Sequence, residues 1–163
     1  MLTETRMVAA RTFFARLNEA RSDWLSEDQL IKGCEDFFSA NNFTVKHNVQ
    51  LESNPPFTSS IVGSNGQETI VTVLHPKFDK FDMRFVGAAE SLLFAMLDNY
   101  ENYRLAIVTD SMSYNFVTSN EDLGIAIENL MAEGLYLLFV NGRSSYALFD
   151  NFKKLTMPIP VSD

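Results

Sequence analysis

Apolar positions recur at helical spacing in four stretches of the chain and at strand-like spacing in six. In residues 3–22, Met7, Ala10, Phe14 and Leu17 share one helical face, with Phe13 and Trp24 beside them. The stretch SEDQLIKGCEDFFSANN opens on Ser26 and places Gln29 three residues later, a capping-box pattern. Leu30, Cys34, Phe37 and Phe38 then form its apolar face, and Asn41-Asn42 predicts the stop, because asparagine tolerates left-handed backbone. FTVKHNVQL (43–51), FTSSIV (57–62) and ETIVTVL (68–74) predict three strands. Asn65-Gly66 predicts a tight hairpin between the last two, with positive φ at both residues.

Residues 84–100 predict a helix with Phe85, Ala89, Leu92, Leu93 and Met96 inward, and its small stretch Gly87-Ala88-Ala89 predicts a close approach to a sheet. YRLAIVTD (103–110) is continuously apolar from Leu105 to Val108, which predicts a central strand covered on both faces. Thr118 and Glu121 form a second capping-box pattern ahead of a helix over 121–133 that stops at Gly134. LYLLFV (135–140) and RSSYALFD (143–150) flank Asn141-Gly142 as a second hairpin. Pro158 and Pro160 exclude a helix or a central strand from the tail.

The order is therefore α-α-β-β-β-α-β-α-β-β, that of an α/β protein with a mixed central sheet flanked by helices. The β-α-β crossover is expected to be right-handed. With 163 residues and no repeat, low-complexity tract or linker, one domain over 1–163 is expected, and SNPPFTSS (53–60) reads as a loop within it.

Charge adds a second layer. The formal net charge of −8 disfavours general binding to nucleic acid. Between Phe85 and Gly142 the acids are Glu90, Asp98, Glu101, Asp110, Glu121, Asp122, Glu128 and Glu133, against Arg104 alone, so most of the negative charge falls on two helices and their adjoining loops. The four arginines of residues 3–22 are spread around their helix rather than aligned, which reads as a solvated face. The single cysteine, Cys34, excludes an internal disulfide, fits a reducing compartment and reads as a small buried residue. No run approaches 18 apolar residues, and the opening MLTETRMVAARTFF lacks the apolar core of a signal sequence, so a cytoplasmic protein with no membrane span is expected.

Candidate chemistry is sparse. His47, His75 and Cys34 are too few for a structural zinc site, and no cofactor or metal is expected. GSNGQET (63–69) lacks the lysine of a phosphate-cradling loop and leads into a strand, so it reads as a hairpin. His75 before Pro76 reads as a structural or exposed residue rather than a general base. In KFDKFDMR, Asp79 and Asp82 follow a strand at a spacing that could hold a divalent cation, but they read first as a solvated loop balanced by Lys77, Lys80 and Arg84.

The run TSSIVGSNGQETIVTVLHPK, the helix GAAESLLFAMLDNY and the strand YRLAIVTD together resemble the core of the PD-(D/E)xK restriction-endonuclease-like superfamily, over roughly residues 26–140. The resemblance implies that fold. In the family, an Asp opens one strand, Glu-x-Lys ends the next, and the following helix often carries a Gln; the acids hold magnesium for phosphodiester hydrolysis. Here Ser59 or Ser60 falls at the Asp position, Thr72 and Leu74 at Glu and Lys, and Glu90 near the Gln. Glu68 shares a strand face with Thr72 but lies about 13 Å away at the other end. The resemblance thus implies a pseudo-nuclease.

Two functions follow as expectations. The first is a non-catalytic protein acting by protein-protein contact, an inhibitor, immunity or regulatory protein of the kind phages and mobile elements encode. Its acidic surface, Asp98, Glu101, Glu121, Asp122 and Glu128, would face a basic protein partner, and the aromatic 135–150 hairpin would offer an edge for a homodimer. The alternative is a divergent metal-dependent nuclease using Asp79, Asp82 or Glu90.

Overall fold

The computed structural model describes residues 23–52, 56–75, 83–141, 146–149 and 155–156. The helix expected over 3–22, the loop acids Asp79 and Asp82, and the proline-containing tail lie outside these residues. The elements are α1 (Glu27–Ala40), β1 (Thr44–Leu51), β2 (Phe57–Ser64), β3 (Thr69–Leu74), α2 (Met83–Asn99), β4 (Tyr103–Asp110), a 3-10 turn (Ser111–Ser113), α3 (Tyr114–Ser119), α4 (Glu121–Ala132), β5 (Leu135–Val140), β6 (Tyr146–Phe149) and β7 (Leu155–Thr156). One seven-stranded sheet holds the strands in chain order, β1 to β7. β3, β4 and β5 run parallel at its centre, and the flanking pairs are antiparallel. This is the mixed α/β sheet that the apolar pattern predicts, and α1-β1-β2-β3-α2-β4 has the layout implied by the restriction-endonuclease-like resemblance.

Two cores sandwich the sheet. On one face α1 buries Leu30, Cys34, Phe37 and Phe38 against Ile61, Ile70, Ala106, Val108, Leu138 and Val140. On the other, α2, α3 and α4 bury Val86, Leu93, Met96, Tyr114, Leu123 and Ile127 against Val71, Leu105, Ile107, Leu137 and Phe139. Leu105 to Val108 have at most 1% exposure, as a strand covered on both faces must. The Ser26 hydroxyl caps Gln29 N–H and the Gln29 side chain returns to Ser26 N–H, so the predicted capping box is formed. α1 lies so close to the sheet that a Cβ on Gly33 would sit 2.8 Å from Val140, and one on Gly63 of β2 would sit 2.5 Å from the Phe38 ring.

The α1 stop is as expected: of the Asn41-Asn42 pair, Asn42 takes the left-handed conformation, with φ 64°. Several other local expectations are corrected. In the β2–β3 hairpin only Gly66 has positive φ; the Asn65 side chain instead accepts the N–H groups of Gln67 and Glu68. The cap of α4 is Asn120, which accepts Leu123 N–H, and Thr118 lies inside α3, a short helix that the apolar pattern does not reveal. Gly87 and Ala88 face solvent, and nothing lies within 4 Å of a Cβ at Gly87, so no close approach occurs there. β5 and β6 pair antiparallel as the expected second hairpin requires, and β7 pairs with the far side of β6 at Leu148 and Phe149, so among the described residues that end of the 135–150 hairpin is not the free edge of the sheet.

Asn48 shapes the other edge. Its φ of 52° inside β1 breaks the alternation of faces, because a left-handed residue reverses the pleat. Val45 therefore packs on the α1 side, whereas Val49 and Leu51, of the same parity, pack on the α2 side. Phe57 at the start of β2 follows them, while Ile61 stays beneath α1. The outer end of the β1–β2 pair thus swings across the sheet plane, and the β2–β3 ladder extends only from Ser64↔Thr69 to Val62↔Val71.

Candidate functional site

Where that ladder stops, Ile61 and Thr72 would exchange the next backbone bonds. Side chains replace them. Ser59 Oγ accepts Thr72 N–H at 3.2 Å, and its own proton is shared between Thr72 O and Ile61 O, each at 2.9 Å. Thr72 Oγ1 donates to Ile61 O at 2.6 Å and lies 3.3 Å from Ser59 Oγ. Ser59 is 0% exposed and Thr72 1%. The register thus brings together the two positions where the resemblance expects Asp and Glu, and it selects Ser59 rather than Ser60.

These residues do not fit a divalent cation. Magnesium is held by carboxylates and water in an accessible octahedral shell. Two dry, neutral hydroxyls already committed to the sheet offer neither charge nor room. Leu74, at the lysine position, packs into the α1-side core. Glu90 stands on the exposed side of α2, whose buried side carries Val86, Ala89 and Leu93. Glu68 is half-buried; its Oε2 accepts the Tyr136 hydroxyl at 2.8 Å across the intervening strand β4. Among the described residues, no three His, Cys, Asp or Glu side chains converge as a metal site would require.

The second place to look in such a sheet is the crevice beyond the carboxyl ends of the parallel strands. Among the described residues, buried and mutually bonded polar side chains stand at the end of β4 there. Asp110, the last residue of β4, is fully buried; its Oδ2 accepts Leu25 N–H at 2.7 Å and its Oδ1 accepts Met112 N–H at 2.9 Å. Thr109 Oγ1 bonds Ser113 Oγ at 3.1 Å, and Asn141 Nδ2 donates to Ser111 Oγ at 2.8 Å. All five polar side chains are at most 2% exposed. Asp110, which the charge count places with the surface acids, is therefore an internal clip between the entering chain and the end of β4. No sequence signal marks it, because its partner Leu25 is 85 residues away. His75 continues β3 by donating its N–H to Val108 O, and its ring stacks on Phe85 at 4.0 Å.

The remaining candidates lie on the outer surface. Asp98, Glu101, Glu121 and Asp122 are exposed and Glu128 is half-exposed. α2 and α4 touch each other on one face of the sheet, so these acids belong to one side of the protein. Arg104, the one basic residue between Phe85 and Gly142, leans on Gly134 and donates to Tyr103 O. Cys34 is fully buried, and desolvation, with a smaller contribution from Glu35, pushes its thiol pKa upward, keeping it protonated. Among the described residues, no helix is long and apolar enough to cross a membrane.

No family model and no curated protein matches this sequence. Among solved structures, a crystal structure of a protein of unknown function, AF1548, aligns over 63% of this chain and 66% of its own length, with 11% identity and a TM-score of 0.35. A likeness that weak carries no argument, and the fold rests on the sheet described above.

Proposed function

We propose that this chain is a non-catalytic protein on a restriction-endonuclease-like sheet, acting as a single domain through contact with another protein. An inhibitor, immunity or regulatory role fits its size and acidity, and the acidic side of α2 and α4 is the contact surface, facing a basic partner. The observation that carries the reading is the fate of Ser59 and Thr72. At the positions where a nuclease of this layout needs carboxylates, both side chains are buried hydroxyls consumed by the sheet. The end of β4 supports it further, since Asp110 there is buried and bonded to Leu25 and Met112 rather than open to a ligand.

Affinity capture from the native host tests this, with the wild-type chain beside a Glu121→Lys/Asp122→Lys/Glu128→Lys variant. The expected result is a stoichiometric protein partner held by the wild type and weakened by the reversal. Unchanged capture by the variant refutes the acidic surface. Magnesium- or manganese-dependent cleavage of DNA or RNA that disappears in Asp79→Ala refutes the non-catalytic reading altogether.

A further inference from the structure

The large hydrophobic side chains exposed among the described residues are Phe94 (43%), Leu97 (37%) and Ile125 (51%), and all three lie on α2 and α4. Their spacing is ordered. On α2, Glu90, Phe94 and Leu97 follow one another at four and three residues, and Glu101 continues the row in the turn beyond, so two apolar residues sit between two acids on one helical stripe. On α4, Ile125 lies four residues after Glu121 and three before Glu128, the same alternation on a helix that touches α2. None of the three apolar side chains belongs to either buried core.

We infer that this pair of stripes is a docking surface for a basic amphipathic helix, its apolar residues seated on Phe94, Leu97 and Ile125 and its lysines or arginines beside the flanking acids. The inference rests on the proposed binding function and specifies the partner's chemistry. Apolar anchors inside a charged rim are the ordinary anatomy of a protein contact, with the anchors supplying affinity and the rim supplying orientation and rate. Charge complementarity selects the occupant. A second copy of this chain would bring the same acids against one another, and nucleic acid would be repelled by them. Row spacing of three and four residues matches a helix laid alongside rather than an extended strand, whose contacts recur every second residue.

The probe is a designed helical peptide of about 18 residues built from leucine and lysine, with leucines along one stripe. Its fluorescence anisotropy is read against the full-length chain. A scrambled peptide of equal composition controls for charge alone. Micromolar binding by the striped peptide is expected, with at least about tenfold weakening for the scrambled peptide and for Phe94→Ser/Leu97→Ser. These positions are exposed, so circular dichroism should show the variant folded. Equal binding of both peptides, binding indifferent to Phe94→Ser/Leu97→Ser, or no binding overturns the inference. So does a wild-type dimer in sedimentation that the same variant dissociates. If the peptide fails while charge reversal still weakens the captured native partner, the binding function stands and only the helical occupant falls.

Discussion

Replacing Ser59 with alanine removes one oxygen from a site with no access to water, and the cost can be worked from its bonds. Thr72 N–H loses its acceptor, and no backbone group of β2 takes over, because the β2–β3 ladder has already ended at Val62↔Val71. An unsatisfied buried donor costs about 1–3 kcal/mol. Thr72 O also loses its donor, whereas Ile61 O keeps Thr72 Oγ1. A total near 2 kcal/mol is expected, which for a chain of this length lowers the melting temperature by about 4–8 °C. Thr72→Val should cost less, about 0.5–1.5 kcal/mol, since Ser59 can still donate to Ile61 O and accept Thr72 N–H. The two changes share one network, so the double variant should lose less than the sum of the singles. Urea titration of the four proteins measures all three quantities. Added magnesium should leave every midpoint unchanged. A Ser59→Ala midpoint within about 0.5 kcal/mol of wild type, or stabilisation of the wild type alone by magnesium, would show that the hydroxyls are not committed to the sheet and refute the argument against a cation site.

Three other outcomes are expected. Gly63→Ala, whose Cβ meets the Phe38 ring at 2.5 Å, should destabilise by about 1–3 kcal/mol, whereas Gly87→Ala on open helix surface should stabilise by about 0.5–1 kcal/mol, both read by thermal melts. Asp110→Ala strands the buried N–H of Leu25 and the part-buried N–H of Met112 and should cost roughly 1–4 kcal/mol; amide exchange at Leu25 should accelerate out of proportion to the rest of the sheet. The raised thiol pKa of Cys34 means that the folded state holds its proton where the unfolded state releases it, so its contribution is complete below about pH 8.5 and declines as pH rises above that, by up to about 1.4 kcal/mol per unit. Cys34→Ala should show a shallower alkaline loss of stability than wild type in pH-dependent urea titrations.

Hydrophobic pattern located the described helices and strands except α3 and the two-residue β7, because burial of a helix or strand face is written directly into residue spacing. What it missed depends on partners distant in the chain. Thr72 reads as one more residue on a core face; only the register that brings Ser59 against it, thirteen residues earlier, makes the pair a site. Nothing near Glu68 in sequence announces its bond to the Tyr136 hydroxyl, 68 residues further on. Asp110 is the sharpest case: a carboxylate after an apolar strand resembles any surface acid until Leu25 is placed beside it. Asn48 could be suspected as a tolerant residue, but a run such as VKHNVQL carries no signal that its faces exchange halfway.

The strand order has a consequence for biosynthesis. Because each strand pairs with the one made just before it, a nascent chain can extend the sheet stepwise as it leaves the ribosome, and no strand must wait for a later one to be threaded between it and its neighbour. The Leu25–Asp110 clip departs from this progression: the amino-terminal side of α1 must wait until 85 further residues have emerged before its anchor exists. Ribosome-bound chains halted just before and just after Asp110 emerges should therefore differ in protease resistance around Leu25, even though α1 to β3 is already synthesised in both.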